Sequence, residues 1–259
     1  MLKHLKDLYP VLFVAFLFTS MACQSGEQNG QGTAYSKNAK TNLDSSSVDI
    51  NTEELLGKFN PAKHPDFESF GSPYTHKSGM WLRKETLRAF ESMYHAARKD
   101  GIDLRIVSAT RTFYQQKTIW ENKWTRFEKE APASKDRALK ILEYSSMPGS
   151  SRHHWGTDID LNDLNNPSFE AGGKYEKLYK WLSEHAHEYG FCQPYTAGRD
   201  KGYLEEKWHW SYTPLSKPFL AAYKKALSDT DIQGFTGSET AREIGIVENF
   251  VLGINPDCQ

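Results

Sequence analysis

Ser151-Arg152-His153-His154-Trp155-Gly156-Thr157-Asp158-Ile159-Asp160 is the stretch on which the reading of this chain turns. Pro148-Gly149-Ser150 just before it is turn chemistry, which can present side chains at the rim of a site. Gly156 permits a bend or a close backbone approach. A short strand expected from Thr157 to Leu161 would point Asp158 and Asp160 to the same face. Two like charges that close raise each other's pKa, and a divalent cation relieves the repulsion. One imidazole and one carboxylate from this segment can therefore share a metal, but spacing does not choose between His153 and His154, or between Asp158 and Asp160. Further on, Glu206-Lys207-Trp208-His209 adds a carboxylate and an imidazole. Strand alternation puts Glu206 and Trp208 on one face and His209 on the other, so a bend is needed to bring Glu206 and His209 together. Three protein ligands, an open position and a general base make up a hydrolytic zinc centre.

Outward from these segments, helical spacing of Leu87, Phe90, Met93, Tyr94 and Ala97 predicts a helix over 84–99, ended by Asp100-Gly101. Alternation predicts a strand over 104–108. Helices are expected over 112–127 and 135–144, and over 175–189 up to Gly190. A strand over 208–212 and a helix over 215–226 follow. Strands scattered among helices, without regular βαβ alternation, favour an α+β fold. There is no internal repeat.

The N-terminal residues read as an address. A polar, basic-leaning start precedes the apolar run from Val11 to Thr19, too short to span a bilayer but of secretory-signal length. Cys23 directly after Ala22 resembles a bacterial lipobox, in which the Cys carries the lipid; Ser20 departs from the usual Leu. A cleaved soluble signal and an uncleaved anchor are the alternatives. Residues 1–22 are thus expected to be a signal peptide and 23–55 a flexible polar tether, since so polar a stretch buries too little surface to offset chain entropy. Residues 56–228 are expected to form the folded domain, with 229–259 an extension packing on it. The chain is read as exported to the bacterial cell envelope and held at a membrane by the lipid.

The 259 residues carry 32 Lys and Arg against 33 Asp and Glu, a net charge of −1, which gives no electrostatic reason to expect nucleic-acid binding. Aromatic residues make up 13%, enough to furnish either a ring-rich core or a groove for sugars or peptides. Of the 3 cysteines, Cys192 and Cys258 remain if Cys23 is lipidated, and an even pair in an oxidising compartment points to a disulfide between them. No CxxC occurs, which argues against a cysteine zinc site.

The first segment resembles the Ser-x-His-x-x-Gly-x-x-x-Asp motif of the zinc D-alanyl-D-alanine carboxypeptidases, and the second resembles their Glu-x-Trp-His motif. Ser108-Ala109-Thr110-Arg111-Thr112-Phe113-Tyr114-Gln115-Gln116 is similar to their Ser-Gly-x-Arg-Ser-x-x-x-Gln segment. On these three motifs, in family order between Ser108 and Tyr212, the chain is identified as a member of the VanY-like branch of the lysostaphin, D-Ala-D-Ala metallopeptidase and hedgehog group. The resemblance implies a small central antiparallel sheet with flanking helices and one zinc ion on the sheet. It makes His153, Asp160 and His209 the zinc ligands and Glu206 the catalytic base. It makes Arg111 the cation beside the substrate carbonyl or carboxylate, with Gln116 and Ser151 as substrate-side contacts. Ala109 departs mildly from the family's Gly. Asp158 stands where the family commonly has a small apolar residue, and is expected to alter substrate choice or to hydrogen-bond a ligand.

The implied function is hydrolysis of peptidoglycan stem peptides, foremost removal of a terminal D-alanine. LD-carboxypeptidase or cross-bridge endopeptidase activity on the same scaffold is the near alternative. A non-catalytic, zinc-containing binding module is the other, as the hedgehog branch illustrates.

Overall fold

Helix α1 (Thr52–Leu55) opens the part of the chain that the computed structural model describes, residues 50–259. The signal segment, Cys23 and most of the tether lie outside the described residues. Residues 52–55, expected to close the tether, are folded: the Asn51 side chain caps α1 and Leu55 is fully buried. Strands β1 (Phe67–Phe70) and β2 (Met80–Arg83) form an antiparallel hairpin, and α2 (Lys84–Lys99) follows directly. Next come β3 (Ile106–Ser108), α3 (Phe113–Arg126), α4 (Ser134–Leu142) and β4 (Asp158–Leu161). Then follow α5 (Glu176–His185), β5 (Phe191–Cys192), β6 (His209–Tyr212), α6 (Thr213–Ala226) and α7 (Thr240–Ile244).

The fold is α+β. Its central sheet is antiparallel in the order β3-β4-β6-β5. The stripe of α2 buries Leu87, Phe90, Met93, Tyr94 and Ala97 against one face of this sheet, where Ile106, Ile159, Leu161 and Trp210 point. Each such fully buried side chain contributes about 1.5–3 kcal/mol. The opposite face of β4 and β6 is also buried, but it is polar. Asp158 pairs across with Ser211, and Asp160 with His209, all at most 4% exposed. Carboxylates and an imidazole on a buried sheet face need partners to offset the cost of leaving water.

A second core lies on that side, built from α1, α3, α4, α6 and the C-terminal residues. Phe113, Trp120, Trp155, Phe219 and Tyr223 meet there with Ile232, Phe235, Ile244 and Ile254. Trp120 Nε1 donates to the Thr236 carbonyl at 2.9 Å. Cys192 of β5 is disulfide-bonded to Cys258, with Cα atoms 5.8 Å apart, so the C-terminal tail is fixed to the sheet edge.

The turn between these cores is held by Arg83. Buried between the rings of Phe67 and Phe219, its Nε donates to the Trp155 carbonyl at 2.7 Å, and its Nη2 pairs with Glu54 at 2.6 Å. Gly156 ends the short 3-10 turn Arg152–Trp155 in the left-handed region, at φ 72°. A Cβ there would lie 2.5 Å from the Phe67 ring, so both the backbone conformation and the space require glycine.

Candidate metal centre

His153 sits in the 3-10 turn, Asp160 on β4 and His209 at the start of β6; their ligand atoms lie within 4.8 Å of one another. Each histidine has one nitrogen committed elsewhere. His153 Nδ1 is 2.8 Å from the Ala109 carbonyl, so it carries the proton and leaves Nε2 as a lone pair facing the cluster. His209 Nε2 is 3.0 Å from Asp158 Oδ1, which turns Nδ1 towards Asp160 Oδ1 at 3.2 Å. His153 Nε2 and Asp160 Oδ1 are buried and have no hydrogen-bond partner among the described residues. Buried orphaned acceptors are costly, and two nitrogens with one carboxylate are the donor set of a three-ligand hydrolytic zinc site. The residues fit the metal.

His154, which spacing alone could not distinguish from His153, points away from the cluster. Its Nδ1 lies 2.6 Å from the Arg111 carbonyl, and its Nε2 accepts from the Gly149 amide at 3.0 Å. Burial pushes its pKa down to about 3, so it is a neutral strut between two loops. Asp158 likewise leaves the cluster to the other carboxylate. Its Oδ1 accepts from Arg152 Nε at 2.9 Å as well as from His209, and its Oδ2 accepts from Thr157 Oγ1 at 2.5 Å. Arg152 Nη2 reaches on to Ser211 Oγ at 2.6 Å. Burial acts to raise the Asp158 carboxyl, but Arg152 and His209 outweigh it and hold the group ionised. This buried chain fixes which nitrogen of His209 faces the metal position. Arg152 was not a sequence candidate, and nothing in a polar turn marks its guanidinium as interior.

Glu206 Oε2 stands 3.2 Å from His209 Nδ1, beside the ligand atoms. The bend needed to bring Glu206 and His209 together is present. The strand begins only at His209, and the preceding residues form a turn closed by the His209 amide on the Glu206 carbonyl at 3.3 Å. In a turn, residues three apart can face the same way. Burial pushes the Glu206 carboxyl up, while the neighbouring His209 acts the other way. Burial also acts to lower His209, but Asp158, Asp160 and Glu206 together hold its pKa well above the ordinary value. So dense a group of acids around one imidazole is relieved when a cation takes its place among them.

The cluster forms the floor of a cleft of about 280 Å³. Arg111 and Ser151 line it, and the Arg111 Nε and Ser151 Oγ are buried without partners among the described residues. Arg111 is placed from both sides. Its amide donates to the His153 carbonyl at 3.1 Å, and the Thr112–Gln115 capping box starts α3 immediately after it. Gln116, expected at the substrate, does not line the cleft; it is buried in α3 and its Nε2 braces the Ser146 carbonyl at 2.8 Å. Tyr195, Tyr203 and Trp208 complete the wall. The Tyr195 ring lies edge-on to His209 with centroids 4.7 Å apart. No periodicity or spacing singles these tyrosines out.

The sequence profile of the family described as "VanY: D-alanyl-D-alanine carboxypeptidase" matches residues 79–215, more than half of the chain and all of this cluster. The chain belongs to this family. Among curated relatives, YodJ of Bacillus subtilis (strain 168) is 31% identical over 136 residues, covering 51% of this chain and 46% of that protein. A D-alanyl-D-alanine carboxypeptidase of Enterococcus faecalis (strain ATCC 700802 / V583) is 26% identical over 127 residues, covering 48% and 46%. The chain thus spans about half the length of the curated relatives it matches. The solved structure of the LdcB LD-carboxypeptidase aligns at a TM-score of 0.50 and 24% identity, covering 66% of this chain and 77% of that one, and shares the fold.

Proposed function

We propose that this protein is a zinc-dependent peptidase of peptidoglycan stem peptides, acting as a D-alanyl-D-alanine carboxypeptidase. One observation carries the reading: a buried His-Asp-His ligand set with a carboxylate, Glu206, 3.2 Å from one ligand nitrogen, in a chain of the VanY family. The name of the Enterococcus faecalis relative supports the substrate. Among the alternatives, the binding module is disfavoured because ligands, base and Arg111 are all present at one cleft.

His153, Asp160 and His209 would hold the zinc, which would supply Lewis acidity for a water and for the scissile carbonyl. Glu206 takes the proton from the attacking water and returns it to the leaving amine. Arg111, with an unpaired Nε in the cleft, offers its planar fork to the carbonyl oxygen or to the terminal carboxylate. Ser151 offers a hydroxyl beside it. The lipobox-like Cys23 supports a membrane-anchored, exported lipoprotein whose domain works in the cell envelope.

Mass spectrometry of muropeptides incubated with the zinc-loaded protein tests the reading. Loss of a single D-alanine is expected. Split cross-linked dimers would mean an endopeptidase instead. A Glu206→Ala protein that cleaves at the wild-type rate overturns the mechanism.

A further inference from the structure

Lys123 lines the same cleft and takes no part in the metal cluster. It lies in the last turn of α3, whereas Arg111 precedes the first, so the two cations enter the cleft from opposite ends of one helix. Gln116, Ile119 and Lys123 fall on one face of α3 at helical spacing. That face is fastened to the segment that closes the cleft: Gln116 holds the Ser146 carbonyl, and Lys123 Nζ donates to Ser145 Oγ at 2.5 Å.

The ammonium is otherwise uncommitted. Among the described residues no carboxylate lies within 4.0 Å of it, whereas the buried Arg83 and Arg152 each have one. A lysine has three donors and this one uses a single hydroxyl. The side chain is half-buried, and burial pushes it below its ordinary pKa, with the Glu206 carboxylate pulling the other way. A charge held so is costly unless a ligand completes it.

We propose that Lys123 and Ser145 form a second anion subsite, which takes a carboxylate of the peptide upstream of the scissile bond and selects acidic stem peptides over their amidated forms. This rests on the peptidase reading of the cleft. Arginine at position 111 serves the reacting end of the peptide; the lysine serves a separate group, because its anchor lies about three helical turns further on.

The test uses N-acetylated tetrapeptides ending in D-Ala-D-Ala, with a carboxylate or the matching carboxamide placed in turn at each upstream residue. For the wild-type protein, one position is expected to favour the carboxylate by about tenfold in kcat/KM, expressed in KM rather than kcat. In Lys123→Met that ratio falls to near one, and Lys123→Arg restores part of it. The subsite is overturned if the wild type shows no preference at any position, or if Lys123→Met keeps the wild-type ratio. Peptide binding to the zinc-loaded Glu206→Gln protein is measured in parallel. If the wild type cleaves none of the peptides, the peptidase reading fails, and the same ratio in Kd decides the subsite alone.

Discussion

Replacing Asp158 by Asn separates the two duties that this carboxylate performs. The amide has the same shape, and its oxygen can still accept from His209 Nε2 and Arg152 Nε, which stand 3.0 and 2.9 Å from Asp158 Oδ1. What disappears is the charge. Partners of this kind behind a metal-binding histidine are worth about 10–100-fold in metal affinity, or about 1.4–2.8 kcal/mol. Zinc affinity, read by competition with a chromophoric chelator, is expected to fall by that factor. Arg152, only 1% exposed, loses its counterion at the same time. Breaking a buried pair from one side costs about 3–5 kcal/mol, so the zinc-free protein should melt several degrees lower. The double variant Arg152→Met/Asp158→Asn removes the stranded cation. It should recover much of the stability while leaving zinc affinity weak. An Asp158→Asn protein that binds zinc within twofold of the wild type would refute the idea that the Asp158 charge behind His209 strengthens it as a ligand.

Chelation should abolish peptide hydrolysis and lower Tm, and zinc added at about a thousand times its Kd should restore about 4 kcal/mol, seen by calorimetry. Gly156→Ala forces a side chain into a left-handed backbone position and against the Phe67 ring, so urea denaturation should show a loss of at least about 1–2 kcal/mol. The Cys192–Cys258 bridge closes a sequence separation of 66 residues, for which chain entropy gives about 4 kcal/mol. The Cys192→Ser/Cys258→Ser protein should lose up to that amount in the same assay, and a change below about 0.5 kcal/mol would show that the tail is held by its packing alone.

What could be read in advance was whatever is written locally. The stripe of α2 repeats over four turns, and the helix expected over 84–99 is found at Lys84–Lys99. The two strands that carry Asp160 and His209 were expected over 157–161 and 208–212, but the pairing that sets those residues opposite each other was not. The choice of His153 over His154 was not visible either, because it depends on which carbonyl each ring reaches: Ala109 for one, Arg111 for the other. Those carbonyls are more than forty residues away in sequence, beyond the reach of any local pattern. The same holds for Arg152, whose burial follows from Asp158 and Ser211 on neighbouring strands. The β1–β2 hairpin escaped notice because only Phe67 of its first strand is fully buried, so the strand does not alternate. Residues beyond α6 gave no period either; their apolar side chains enter the second core from irregular turns.

That second core has a consequence for where this protein can be cut. Leu55 and Leu56, well before the family match begins at residue 79, share it with Ile232, Phe235, Ile254 and Cys258, well after the match ends at 215. The matched stretch contains the metal ligands, the base and Arg111, yet it would leave Trp120, Trp124 and Trp155 uncovered on one side. The segment that carries the shared chemistry is smaller than the segment that folds. A protein trimmed to the matched span would keep every catalytic group and lack part of the core that packs behind them.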